Sequence, residues 1–148
     1  MPIHEFDVAQ WDRIVEVDLK GVFSVSRAAV PALLQSGVGR VVNISSIAGL
    51  VLLCLQSAFV AAKTGVINLT RSMASELGPQ GILVNAVALG STLTRGTDQL
   101  FYGPDGSYSE NAQLLLSHIS LGRSGRVEEI AAAVLFLVAP ESSYVNGT

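Results

Sequence analysis

Two short β-branched runs, "RVVNIS" at 40–45 and "ILVNAVAL" at 82–89, constrain this 148-residue chain more than any other feature. Each follows a stretch whose apolar residues recur at helical spacing. In the first stretch they stand at 8, 11, 14, 15, 19, 22, 23, 29, 30, 33 and 34, which predicts a helix over 8–34. Pro31 should bend or weaken its last turn, and the glycines of "SGVG" (36–39) should end it. In the second stretch apolar residues at 59, 62, 66, 69, 73 and 77 predict a helix over 57–78, closed by Gly78 and Pro79. The two β-branched runs read as buried strands. A third helix is expected over 127–138, where Glu128 and Glu129 in the first turn suit its positive end. Helix, strand, helix, strand, helix is the order of an α/β fold with a parallel sheet. Two strands alone make a poor sheet, so part of the architecture is expected to be missing.

The segment 90–120 mixes Gly, Ser and Thr with turn signals such as Pro104-Asp105-Gly106, and at most a short helix near 110–119 is expected. A connection this long is usually functional or mobile. The stretch "SIAGLVLLCLQS" after the first strand has no clear period. No repeat, low-complexity tract or linker interrupts the chain, which reads as one domain, 1–148.

Apolar residues make up 49% of the chain and charged residues only 14%, so much of it should be buried. A net charge of −3 with no Lys/Arg cluster argues against nucleic-acid binding. The longest apolar runs, 47–55 and 130–139, are too short to cross a membrane. The opening "MPIHEFDVAQWDR" carries acidic residues and no apolar core, unlike a secretory signal. The single cysteine, Cys54, cannot form an internal disulfide and suits a reducing compartment. A cytoplasmic location is the expectation. The three Asn-x-Ser/Thr sites at 43, 68 and 146 are then chance matches.

"WDRIVEVDLKGVF", "GRVVNISSIAGL", "FVAAKTGVINLTRSMASELGPQGILVNAVALG" and "LGRSGRVEEIAAAVLFLVAPESSYVNGT" resemble, in order and spacing, the second half of a short-chain dehydrogenase/reductase. The resemblance covers nearly the whole chain. It implies a doubly wound Rossmann-like parallel sheet, NAD or NADP as cofactor, and hydride transfer between small carbonyl and alcohol substrates. It also implies that the chain holds a partial fold. The N-terminal βαβ unit with its glycine-rich phosphate loop and the last strand are expected to lie outside it. "GVG" at 37–39 precedes a strand instead of following one and reads as a turn.

Members of this family use an Asn-Ser-Tyr-Lys set. By spacing, Ser46 takes the serine position and Lys63 the lysine position, where the family lysine also binds the nicotinamide ribose. The tyrosine position holds Phe59 and the asparagine position Asp18. A tyrosine at 59 would have formed a proton-transfer pair with a lysine one helical turn on. A phenyl ring has no proton to give, and a positioned acid or base contributes about 10²- to 10⁴-fold. Asp18 accepts hydrogen bonds but cannot donate them as an amide does, and its charge competes for Lys63 if the two approach. Cofactor contacts are expected around Leu89, Gly90, Thr92 and Thr94, with Leu89 where the family has proline. Leu52, Cys54 and Leu55 stand where small residues are usual and would either narrow the substrate pocket or make it more apolar. Tyr102, Tyr108 and His118 have no spacing that would let them replace the missing acid.

The expectation is a degenerate oxidoreductase homologue that keeps a homo- or hetero-oligomer surface on helices 8–34 and 57–78, which pack between subunits in this family. The alternative is an active reductase or dehydrogenase whose nucleotide-binding part lies on another chain or was lost from the record. A third reading is a fragment that does not fold alone.

Overall fold

A computed structural model describes residues 1–51, 54–103 and 106–148. The expectations resting on Leu52 and on the Pro104-Asp105 turn lie outside the described residues. The chain divides into two compact units, 1–88 with 134–148, and 89–133.

In the larger unit the helix expected over 8–34 is α1 (Val8–Val15) and α2 (Gly21–Ser36), joined through one π-helical turn, Glu16–Lys20. The Asp7 carboxylate caps α1 by accepting from the Ala9 N–H. Pro31 neither ends nor shortens α2, which runs on to Ser36. Arg27, whose carbonyl loses its partner to the proline ring, lies on an exposed turn where water can replace that bond. Gly37, at φ 71°, ends the helix in the left-handed conformation.

Strand β1 (Arg40–Ser46) follows, then α3 (Ser57–Leu77) and β2 (Leu83–Leu89), within two residues of the expected bounds. β1 and β2 pair, and the Leu83 N–H bonds to the Gly39 carbonyl just ahead of β1, so both strands start at one end and run in parallel. A backbone without a side chain is needed at Gly39, where a Cβ would stand 2.7 Å from Ile82. Met73, Ala74, Ile82 and Val84 form the core, with Val30, Leu33 and Val41 packed on it. Inside it the Asn43 amide donates to the Thr70 hydroxyl at 2.8 Å, and Thr70 donates back to the Val66 carbonyl. Both polar groups are thereby satisfied and β1 is tied to α3.

The last residues run beside β2. Gly147 N–H bonds to the Val84 carbonyl, and Ala86 N–H to the Thr148 carbonyl. Asn146 accepts from Val84 N–H at 2.9 Å and donates to the Ala74 carbonyl at 3.0 Å. Asn85 donates to the Val145 carbonyl and accepts from Thr148. Asn43 and Asn146, two of the three Asn-x-Ser/Thr sites, are thus structural side chains.

In the smaller unit β3 (Thr92–Leu93) pairs in parallel with β4 (Gly125–Arg126). Between them lie α4 (Asp98–Phe101) and α5 (Glu110–Ser117), so the expected short helix is present together with elements that loop-like composition hid. Phe101, Ala112 and Leu116 form a separate small core. Helix α6 (Val127–Val138) follows β4 directly.

The burial expected from composition is corrected in two places. Ile44 of β1 is 42% exposed, so that strand is buried on alternate residues instead of on both faces. No described side chain of α6 is buried, and Leu135 and Phe136 are largely exposed. Two strands offer too little surface to cover three helices and the apolar face of their own sheet.

Candidate active site

Three of the four residues at the family's catalytic positions meet in the larger unit. Phe59 and Lys63 are one turn apart on α3, and the Lys63 Nζ lies 5.5 Å from the centre of the Phe59 ring. Asp18 reaches the same ammonium from the π-helical turn, its Oδ1 2.9 Å from Nζ. The Lys63 side chain is 14% exposed and that of Asp18 29%, so the pair is shielded from solvent more than an ordinary surface ion pair. The expected competition of Asp18 for the lysine is a salt bridge in the structure. π-Helical turns are uncommon and recur at functional sites, and here the turn carries the residue that reaches the lysine.

Ser46 ends β1 and caps the 3₁₀ turn Ile47–Gly49, accepting from the Ala48 N–H at 3.1 Å. That turn is pressed on the backbone of α3 beside Lys63. Ser45 donates to the Lys63 carbonyl at 2.9 Å, and Thr64 donates to the Gly49 carbonyl at 3.3 Å. A Cβ on Gly49 would stand 2.9 Å from the Lys63 carbonyl carbon and oxygen, so only glycine permits this approach. The serine-bearing turn and the lysine-bearing helix therefore share one rigid joint. Neither Ser45 nor Gly49 belongs to the expected site, although "SSIAG" after a strand holds the small residues such an approach needs.

Beyond Ser46 the described residues Ile47, Leu50, Val51 and Leu55 are each at least 40% exposed. They add apolar surface instead of filling a pocket. Cys54 is exposed and free.

The smaller unit holds the other positions expected to meet the cofactor, besides Lys63. Leu89 ends β2, and at Gly90 nothing lies within 4 Å of where a Cβ would be. Thr92 donates to the Gly90 carbonyl at 3.4 Å. Thr94 is held by Thr97, whose hydroxyl accepts from the Thr94 N–H at 2.8 Å, lies 3.1 Å from the Thr94 hydroxyl and donates to the Thr92 carbonyl. Leu93, Thr94, Arg95, Gly96 and Val127 line an open cleft of about 720 Å³. Tyr102 and Tyr108 stack with ring centres 5.0 Å apart.

Sequence reasoning missed the charge network of this unit. The Glu129 carboxylate accepts from both Arg123 amino groups, at 2.6 and 2.9 Å, and from the Arg126 N–H at 2.8 Å. These donors pull its pKa down to about 2, and the Arg123 guanidinium is correspondingly raised. Glu129 was expected to serve the helix terminus. It does so through one backbone donor while fixing the preceding loop through Arg123. The signal available was "GRSGRVEE", which sets two arginines ahead of two glutamates.

The family model described as enoyl-(acyl carrier protein) reductase matches residues 1–148. The 2-(S)-hydroxypropyl-CoM dehydrogenase 3 of Xanthobacter autotrophicus is 39% identical over 145 residues, covering 98% of this chain and 56% of its own length. The protein named inactive 2-(S)-hydroxypropyl-CoM dehydrogenase 2 of the same organism is 37% identical, covering 98% of this chain and 63% of its own length. Levodione reductase superposes at a TM-score of 0.89 with 35% identity, over 100% of this chain and 58% of its own. The chain therefore spans little more than half the length of the proteins it matches.

Proposed function

The chain belongs to the short-chain dehydrogenase/reductase family, and from that premise we propose that it is an oxidoreductase homologue that does not catalyse hydride transfer as an isolated chain and acts through subunit association. The observation that carries this reading is the group Phe59, Lys63 and Asp18. Carbonyl–alcohol interconversion moves a proton at the oxygen while hydride moves at carbon. The family's tyrosine supplies that proton, and its neighbouring ammonium brings a phenol, which ordinarily titrates near 10, towards working pH. Phe59 removes the proton donor, and the Asp18 carboxylate 2.9 Å away takes up the ammonium. The 2-(S)-hydroxypropyl-CoM relative named inactive gives a precedent for loss of activity in a protein this similar.

NAD or NADP is the cofactor that family membership suggests, and the residues present do not fit it. The lysine at the ribose-binding position is held by Asp18, and the Thr94 hydroxyl sits in the Thr97 network.

Association is supported by the α2/α3 face. Phe23, Arg27, Val30, Leu69, Met73 and Glu76 are among the residues that line a groove of about 320 Å³ there. Phe23 is 48% exposed and the neighbouring Val25 71%. The apolar floor, flanked by Arg27 and Glu76, offers the mixture of apolar centre and polar rim that subunit interfaces show.

The test is oxidation of NADPH and NADH by a panel of ketones with the purified chain, alongside Phe59→Tyr and the Phe59→Tyr/Asp18→Asn double variant. No turnover is expected from the unmodified chain. Turnover by that chain that disappears in Lys63→Met would overturn the reading.

A further inference from the structure

We propose that Leu19 and Gly65 are positioning residues for Lys63, holding the π-helical turn in the register that sets Asp18 on the lysine. Gly65 lies in the middle of α3, where glycine is less favourable than alanine. A Cβ there would stand 2.8 and 3.0 Å from the two methyl carbons of Leu19. The Leu19 side chain thus occupies the notch that the missing Cβ leaves. This contact adjoins the ion pair in both elements: Leu19 follows Asp18, and Gly65 lies two residues after Lys63.

A π turn holds one more residue than the α turn it replaces. Its Gly21 N–H reaches back five residues to the Glu16 carbonyl. If the turn closed with α spacing, side chains beyond it would rotate by about 100° relative to those before it. Asp18 would then leave Lys63. Something must hold the rarer turn. One candidate is the Glu16–Lys20 ion pair across it, at 2.9 Å, but its side chains are 57% and 63% exposed and such pairs contribute little. The Leu19–Gly65 seat is a close apolar contact that joins the turn to α3, and it fails if either side chain changes size. This assignment concerns geometry and stands whether or not the chain turns over a carbonyl.

The chain has only two lysines, Lys20 and Lys63, so each can be followed separately. The experiment measures the rate at which an amine reagent labels Lys63 in the full chain, read by peptide mass, with circular dichroism confirming the fold. In Leu19→Ala and in Gly65→Ala the rate is expected to rise about fivefold, the factor equivalent to roughly 1 kcal/mol of lost ion pairing. Asp18→Asn should give the same rise in the parent chain and none further in either variant. Glu16→Gln should leave Lys63 unchanged. Gly65→Ala adds helix propensity, so it keeps the test readable if Leu19→Ala loses helix content. A Lys63 rate that stays at the parent value in either folded variant overturns the proposal, as does a rise in Glu16→Gln equal to that in Leu19→Ala.

Discussion

At the scale of single residues, Lys63 is where the chain's interactions concentrate. Its ammonium meets Asp18 and the Phe59 ring, and its carbonyl accepts from Ser45. Removing the charge while keeping the bulk, as in Lys63→Met, leaves a partly shielded carboxylate without its partner. The expected cost is about 1–3 kcal/mol, between the limits for exposed and buried pairs. Denaturant unfolding of Lys63→Met and of the Lys63→Met/Asp18→Asn double variant checks this, with the double variant more stable than the single. Gly49→Ala has a different cause. Its new Cβ would meet backbone atoms of Lys63 at 2.9 Å, which cannot turn aside as a side chain can. Overpacking of this kind costs about 1–3 kcal/mol. A Gly49→Ala chain that melts at the parent temperature would show that the serine-bearing turn is free to move off α3.

At the scale of elements, the β4–α6 junction depends on Glu129. Its folded-state pKa, about 2, lies below its ordinary value of 4.5, so its bonds to Arg123 and Arg126 favour the folded state fully above about pH 4.5. That contribution is lost as pH falls from 4.5 towards 2. Melting of the parent chain and of Glu129→Gln across pH should therefore diverge near neutrality and converge in that acidic window. A gap of constant size down to pH 2 would mean that the carboxylate's charge is not what the arginines hold.

Long elements with a strong period were legible from sequence: α3, β2 and α6 stand within two residues of their expected limits. What stayed hidden has physical causes. The π turn at Glu16–Lys20 leaves the apolar spacing helix-like, because one inserted residue hardly alters a pattern read over many turns. β3 and β4 have two residues each, too few to show a period. In the candidate site, spacing brought out Phe59, Lys63 and Asp18, since an i, i+4 pair is local and the aspartate comes with the resemblance. Ser45, Gly49, Leu19 and Gly65 were not legible, because their part lies in backbone contact between segments far apart in sequence.

At the scale of the molecule, the proposed association makes a demand on the apolar face of α2. Along α2, Phe23 and Val25 contribute apolar area beside the α2/α3 groove, whose lining also includes Arg27 and Glu76. If that face is where copies meet, a charge placed at its centre must be desolvated without a partner. Phe23→Glu should then weaken self-association at least about tenfold, a change of about 1.4 kcal/mol, while Leu135→Glu on α6 leaves it in place. Sedimentation equilibrium over a range of concentrations measures both. A parent chain that stays monomeric throughout the micromolar range removes self-association, and an effect of Leu135→Glu equal to that of Phe23→Glu moves the interface from α2 to α6.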